Sequence, residues 1–191
     1  KIADPYQMLG EVDEELRERL GIDVAGLMPR KTMFGFENRD WKPFALADGT
    51  PVLVAGDFNT TTDANGDLLI YPEGDVAAPP SGRMPKGYFF FDALIRQPPL
   101  DEERLDPADN TEEFAPFSEE DLAWYRRQAA RLDARPQDGV ALTMPGTAFG
   151  DIALVPAPWM KRPKGIRDIE EWYVSTAIRK DYVRAIFDRQ C

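Results

Sequence analysis

The stretch from Val140 to Cys191 decides how the fold of this chain is interpreted. It opens with Val140-Ala141-Leu142-Thr143-Met144, an apolar run of strand length that stops at Pro145-Gly146, where a central strand would not continue. A loop rich in glycine and proline follows, and Asp168 with Glu171 three residues later then predicts a helix start. Strand, long loop and helix make one β/α unit. In barrels of such units the loop after the strand carries the chemistry.

The helical arm carries two apolar stripes with the spacing of a buried helix face. The first consists of Ile169, Trp172, Tyr173 and Thr176, and the second of Tyr182, Val183, Ile186 and Phe187. We expect a change of helix between the two stripes, near residues 175–180. We also expect the second stripe to cover the strand at 140–144, which would be a parallel strand of a barrel-type sheet.

Short motifs spread over nearly the whole chain are those of one superfamily. They are Asp4-Pro5-Tyr6-Gln7, Asp48-Gly49-Thr50-Pro51-Val52, Met84-Pro85-Lys86-Gly87-Tyr88-Phe89, Phe91-Asp92, the run from Met144 to Ile152, Lys164-Gly165-Ile166-Arg167-Asp168 and Glu171-Trp172-Tyr173. On these residues the chain resembles the uroporphyrinogen decarboxylase superfamily, and within it the branch that includes corrinoid-dependent methyltransferases. Two features differ from the decarboxylases themselves: no arginine-rich segment stands near the start, and Leu154 occupies the position of a tyrosine.

The resemblance implies an α/β protein, a partial (β/α)8 TIM-barrel-type fold with an antiparallel β-meander insertion. Residues 1–191 are treated as a single domain, with the β-rich insertion at 41–92 and helix-strand-loop-helix barrel units at 118–191. A complete barrel takes roughly 250 residues, so at 191 residues we expect an internal piece of a longer protein. The open edges of a partial barrel predict self-association, or association with the rest of the barrel.

The resemblance also implies an activity, which is the movement of a methyl group from a small methylated compound to a corrinoid cofactor. A small-molecule substrate and a corrinoid protein are the implied partners. Zinc and corrinoid are the implied cofactors of the full-length protein, and neither is expected to bind this stretch alone, since the zinc ligands would lie beyond Cys191. Two alternatives stay open: tetrapyrrole (uroporphyrinogen) decarboxylation, and a non-catalytic binding or assembly domain.

The composition argues against several kinds of site and partner. The 23 Lys and Arg residues against 34 Asp and Glu give a net charge of −11, which argues against nucleic-acid and anionic-membrane partners. No apolar run approaches the about 20 residues that a membrane helix needs, and the single cysteine forms no internal disulfide, so we expect a cytoplasmic protein. The sequence has no histidine, which removes His-based acid–base catalysis and histidine metal ligation from this stretch.

Residues 42–72 predict antiparallel strands joined by tight turns. Asp48-Gly49 and Asn65-Gly66 supply the positive φ that such turns need, and apolar runs flank them. The segment from Asp63 to Asp67 has acidic residues spaced as in a calcium loop, but its glycine falls fourth rather than sixth, which favours a turn. Upstream, we expect a helix over 7–20 and a short strand or turn over 22–28.

Five residues are candidates to line a substrate cavity. Tyr88 and Asp92 belong to the aromatic run 88–92, interpreted either as a buried strand or as a cavity wall. Met144, Phe149 and Asp151 lie in the strand end and loop that would open on the catalytic face of a barrel. Asp151, beside apolar Phe149, would handle a proton through a raised pKa, or else cap a helix turn. The catalytic residues themselves stay unassigned.

Two further segments are interpreted as surface. Residues 98–117 are acidic and rich in proline, which indicates a connector. The basic residues Lys161, Arg162 and Lys164 are expected to be solvated rather than to hold an anion. Ser118 with Asp121 predicts the start of the next helix.

Overall fold

The computed structural model describes residues 1–111, 117–132, 138–142 and 152–190, and in these the chain is mixed α/β with small sheets and four helices. The strands are β1 (Ile2–Asp4), β2 (Leu9–Gly10), β3 (Val24–Leu27), β4 (Lys42–Ala45), β5 (Pro51–Val54), β6 (Thr60–Thr62), β7 (Leu68–Ile70), β8 (Gly82–Met84), β9 (Asp92–Ala93) and β10 (Gly139–Leu142). The helices are α1 (Glu14–Leu20), α2 (Glu119–Ala129), α3 (Ile169–Ile178) and α4 (Lys180–Gln190). None of the described helices is long and apolar enough to cross a membrane.

Residues 42–93 form antiparallel strands arranged in two sheets. β4 pairs with β5, and β6, β7, β8 and β9 follow one another in a four-stranded sheet. This confirms the antiparallel pairing over 42–72, although the strands do not make one continuous meander. The break falls between β5 and β6, where the N–H of Phe58 donates to the carbonyl of Ala55 (3.0 Å) and the Phe58 ring is buried.

Both predicted turns are present, with glycine in the left-handed region in each. Gly49 has a φ of 85° and Gly66 a φ of 86°. The Asp63 carboxylate accepts hydrogen bonds from the backbone N–H groups of Asn65 (2.8 Å) and Asp67 (3.0 Å). The segment from Asp63 to Asp67 is therefore a turn, as expected, in which the Asp63 side chain accepts hydrogen bonds from backbone N–H groups of the same turn.

An aromatic core holds the β-rich half together. The rings of Phe34 and Phe91 are fully buried and meet edge-on with centroids 5.7 Å apart, and Phe58 meets Phe91 edge-on at 6.1 Å. Each such pair adds about 0.5–1.5 kcal/mol to the effect of burial. The other buried members of this core are Ile2, Met8, Phe36, Val54, Ala55, Ile70 and Met84.

The aromatic run 88–92 is not the buried strand that was one of its two interpretations. Only Phe91 is buried, and its N–H donates to the carbonyl of Tyr6 (2.8 Å). The three rings before it, Tyr88, Phe89 and Phe90, are exposed. Because a turn follows β8 and β9 starts only at Asp92, these rings stay on the surface instead of entering the sheet.

β3 and β10 form a parallel pair, with Val24 opposite Gly139. Parallel neighbours need a crossover connection, and α2 lies in it. Trp124 Nε1 (2.9 Å) and Gln128 Nε2 (2.8 Å) both donate to the carbonyl of Met28, just after β3. The expected parallel strand is confirmed for residues 139–142, and the expected strand within 22–28 is β3. The pair is two strands wide in the described residues, which show no closed barrel.

The helical arm does not cover β10, contrary to expectation. All four β10 residues are exposed, with Val140 at 53 % and Leu142 at 48 %. α4 instead packs on α3 and on the 3-10 turn Pro107–Asn110. The prediction failed because the connector expected on the surface provides apolar partners for the arm, among them Leu100 and Leu105.

The helical arm and its partners form a second hydrophobic core. Its buried members are Val155, Ile166, Trp172 and Ile186. α3 starts as predicted, since the Asp168 carboxylate accepts from the N–H of Glu171 (3.0 Å), and the chain changes helix at Arg179. The buried face of α3 holds Trp172 and Ser175, whereas Tyr173 is 55 % exposed. Of the first predicted stripe, Ile169 and Trp172 therefore pack in the second core as expected, whereas Tyr173 and Thr176 do not.

The first helix is shorter than expected. α1 begins at Glu14, after Asp13, whose carboxylate accepts from the N–H of Leu16 (2.9 Å). Residues 7–13 are not helical, because Met8 lies in the left-handed region (φ 54°) with its side chain in the aromatic core. β2 then pairs with β1. Burial of Met8 offsets the cost of its backbone conformation.

Candidate functional site

A cleft of 330 Å³ opens on the β-rich half beside the turn after β8. Its floor is made of side chains that also belong to or pack on the aromatic core: Phe44, Leu46, Leu68 and Met84. Its rim carries Lys86, Tyr88 and Phe89. The volume lies within the range of small-molecule sites, about 300–1,000 Å³, and such sites combine apolar walls with few polar groups in the same way.

A tight turn sets the rim. The N–H of Tyr88 donates to the carbonyl of Pro85 (3.0 Å), and Gly87 within the turn has a φ of 85°. The backbone N–H of Lys86 donates to Asp67 Oδ1 (3.0 Å), which ties this turn to the neighbouring turn before β7. Lys86 and Tyr88 are thus placed by backbone hydrogen bonds, with their side chains at the mouth of the cleft.

Lys86 is the one charged residue among those that line the cleft. Within the described part of the chain, its ammonium group has no ion-pair partner. The nearby carboxylates are otherwise engaged: Asp67 accepts from the Lys86 backbone and lies 3.7 Å from Arg83, and Asp63 caps its own turn. The cleft therefore presents a single uncompensated cation over an apolar floor.

The structure separates the predicted site residues. Tyr88 lines the cleft, with 55 % of its surface exposed. Asp92 lies on β9, opposite Arg83 in register, and does not line the cleft. Met144, Phe149 and Asp151 lie outside the described residues, so their place in the wall of a substrate cavity stays a prediction.

The segment from residue 152 to the start of α3, called the loop before α3, is held by two arginines. Arg96 donates from Nη1 to the carbonyl of Met160 and from Nη2 to that of Ala157, both at 2.6 Å. Arg167, fully buried, donates from Nε to the carbonyl of Lys164 (2.5 Å). Burial and, to a lesser degree, the charge of Arg167 lower the pKa of Arg96 to about 10. The backbone of residues 157–164 is thus fixed by one half-buried and one fully buried guanidinium group, which donate to carbonyl oxygens.

The basic side chains of this loop are engaged with acids rather than arranged around an anion. Lys161 Nζ lies 2.9 Å from Asp75 Oδ2 and 3.1 Å from Glu73 Oε2, and these carboxylates raise its pKa. Lys164 Nζ lies 4.0 Å from Asp109 Oδ1. Lys161 joins the loop to the 3-10 turn after β7, so its role here is to position the loop.

The described residues do not fit a zinc site. They contain no group of three or more histidine, cysteine, aspartate or glutamate side chains that would hold a metal ion, and the whole sequence has no histidine.

Analysis of the sequence found Tyr88 but missed Lys86 and the cleft floor. Lys86-Gly87 is a turn signal, and a lysine beside a glycine turn is compatible with many surface roles. The floor combines Phe44 of β4 with Leu68 of β7. These strands belong to different sheets, and no local pattern shows that they meet.

Comparison with protein-family models, with curated proteins and with solved structures finds no match to this chain.

Proposed function

We propose that this chain is part of an enzyme that moves a methyl group from a small methylated compound to a corrinoid cofactor. The observation that carries the proposal is that β3 and β10 are parallel neighbours, with β4 to β9 and then α2 between them in the chain, and that α3 follows β10. In barrels built from such units, the loops at the carboxyl ends of the strands surround the reacting groups. The choice of methyl transfer within that architecture comes from the sequence resemblance, because one architecture supports many reactions.

The described residues would contribute positioning rather than proton transfer. Met28, at the carboxyl end of β3, has its carbonyl bonded to Trp124 and Gln128, and Arg30 next to it pairs with Asp121 (2.9 Å). Arg96 fixes the backbone at Ala157 and Met160, which precede α3. Backbone held in this way would keep reacting groups aligned.

The test is methyl transfer by the full-length protein that carries this chain, supplied with zinc and cob(I)alamin. Methanol, methylamine and anisole, each labelled with ¹³C in the methyl group, are offered in turn, and methylcobalamin is followed by NMR and visible absorbance. We expect one donor to yield labelled methylcobalamin. The 191-residue chain alone should be inactive, because with no histidine and one cysteine it cannot complete a zinc site built from these residue types.

Matched arginine variants show whether loop positioning matters for the reaction. Arg96→Lys removes one of two carbonyl contacts of a half-buried guanidinium and should lower kcat, whereas Arg39→Lys changes a side chain that is 64 % exposed and should not. A folded, zinc-loaded protein that labels cobalamin with none of the donors would contradict the proposal. Release of CO₂ from uroporphyrinogen would then favour the decarboxylase, and the absence of both reactions would favour a binding or assembly domain.

A further inference from the structure

We propose that the cleft beside β8 binds a small organic monoanion, whose carboxylate pairs with Lys86 and whose apolar body lies between Tyr88, Phe89 and the cleft floor. This inference goes beyond methyl transfer and does not depend on it. The site stands on the β-rich half, and its architecture is complete within residues 44–89.

The residues that line the cleft indicate that the main part of the ligand is apolar. Phe44, Leu46, Leu68 and Met84 form an apolar floor that is anchored in the aromatic core, so it is fixed before a ligand arrives. Phe89, 46 % exposed, and Tyr88, 55 % exposed, leave ring surface in water at the rim. A flat or extended apolar group would cover this surface, and removal of apolar area from water favours binding.

The positive charge at the rim indicates that the ligand carries a negatively charged group. Lys86 is the single charged side chain of the lining, and the carboxylates of the adjoining turn are taken by backbone N–H groups and Arg83. One uncompensated ammonium group pairs with one negative charge, and a bond between two charged groups is stronger than a neutral one. In a chain with a net charge of −11, a cation left free at the mouth of an apolar cleft selects a monoanion over a polyanion or a cation.

The experiment compares 3-phenylpropionate with its neutral isostere, 3-phenylpropionamide, as probes of the 191-residue chain. Binding is measured by saturation-transfer NMR and by titration of the ring resonances of Tyr88 and Phe89. We expect the acid to bind about tenfold more tightly than the amide, as one charge-assisted hydrogen bond allows. This preference should shrink as NaCl is added.

Substitutions at three positions locate the site. Lys86→Met should reduce binding of the acid to the level of the amide, whereas Lys180→Met, which removes an exposed lysine at the start of α4, should leave it unchanged. Lys86→Gln serves the same purpose if the methionine variant proves unstable. Phe89→Ala should weaken the binding of both probes.

Equal binding of acid and amide, or an equal loss of acid binding in Lys86→Met and Lys180→Met, would overturn the proposal. It would also be overturned if neither probe bound and Phe89→Ala instead abolished self-association, since the rim would then be a protein-docking surface.

Discussion

Asn110 is the residue on which the second core depends most, and it lies in the segment interpreted from sequence as surface connector. It is 4 % exposed. Its Nδ2 donates to the carbonyl of Ile166 (2.9 Å), and its Oδ1 accepts from the N–H of Ile166 (2.9 Å) and from the hydroxyl of Tyr182 (2.6 Å). One amide side chain thus satisfies buried polar groups of two other segments.

We expect Asn110→Asp to destabilise the protein by about 2–4 kcal/mol at neutral pH, because it replaces a buried donor with a buried charge facing a carbonyl oxygen. Burial should raise the pKa of the introduced carboxyl above its unfolded value. Stability is then regained as the pH falls, since the protonated form can donate to Ile166. Chemical denaturation at pH 7 and pH 4 measures this effect. Asn65→Asp, the same change on an exposed turn, should cost little at either pH.

The ionisation of the Tyr182 hydroxyl provides a second test of the contribution of a single residue. Burial, with a smaller effect from the charge of Asp109, raises the pKa of its hydroxyl to about 12, above the ordinary value of 10.0. The folded protein therefore holds this proton longer than the unfolded chain does. The stabilisation is complete below pH 10 and is lost as the pH rises from 10 to 12.

In a spectrophotometric titration, Tyr182 should be a late-ionising tyrosine, and Tyr182→Phe should remove one late component of the absorbance change. If Tyr182→Phe instead removed a component at the ordinary tyrosine value of 10.0, the Tyr182 hydroxyl would not be shielded as the structure has it.

At the scale of elements, the hairpin between β6 and β7 depends on Gly66. Its φ is 86°, and a Cβ built there would lie 3.2 Å from Cδ of Lys86. Gly66→Val should destabilise the protein by roughly 1–2 kcal/mol, because a β-branched residue is strained in the left-handed region. Thermal unfolding followed by circular dichroism measures the loss.

Gly139→Val is the matched control for this change. Gly139 is an exposed strand residue outside the left-handed region, and the nearest atom to an added Cβ is 3.6 Å away. Valine is favoured in strands, so this variant should be neutral or slightly stabilising. Equal losses at both positions would mean that backbone conformation is not the cause.

Local signals in the sequence predicted the tight turns and two helix starts well. The turns at Asp48-Gly49 and Asn65-Gly66, the cap at Asp168 and the capping box between Ser118 and Asp121 are all present. In each case the residues that cause the structure are neighbours in the chain, so the pattern and its effect can be seen together. The site followed the same rule: the exposed rim residue Tyr88 was found, whereas the floor from separate strands was not.

The packing of elements against one another could not be predicted in this way. The helical arm was assigned to β10 on the strength of its apolar stripe. The stripe shows that a face is buried and leaves open what covers it. In the structure Tyr182 meets Asn110, and Leu100 and Leu105 pack against Ile186 and its neighbours. These partners stand in a polar, proline-rich segment that gives no hydrophobic signal of its own.

For the whole molecule, the exposed parallel pair is the feature with the clearest consequence in solution. Parallel sheets are normally buried on both faces, yet Val24, Met28, Val140 and Leu142 are each 46–53 % exposed. We expect the chain to self-associate as its concentration rises, and sedimentation velocity measures this.

Charged substitutions identify the surface responsible. Val140→Lys combined with Leu142→Lys should shift the chain towards monomer. Both side chains are already exposed, so the added charges should destabilise an interface between chains and not the folded chain itself. Val76→Lys, at a residue that is 56 % exposed on the β-rich half, should have no effect. A chain that sediments as a monomer at every concentration would contradict the expected association.

The two cores also differ in how they relate to the direction of protein synthesis. Every buried member of the aromatic core lies between Ile2 and Phe91, so that core can assemble while the second half of the chain is still being translated. The strand β3 has no such advantage, because Val24 pairs with Gly139, 115 positions later (139 − 24), and stays without this partner until that residue has been synthesised. A nascent chain paused at about residue 130 would therefore present a folded β-rich half beside a bare, apolar strand, which is the kind of intermediate that chaperones recognise.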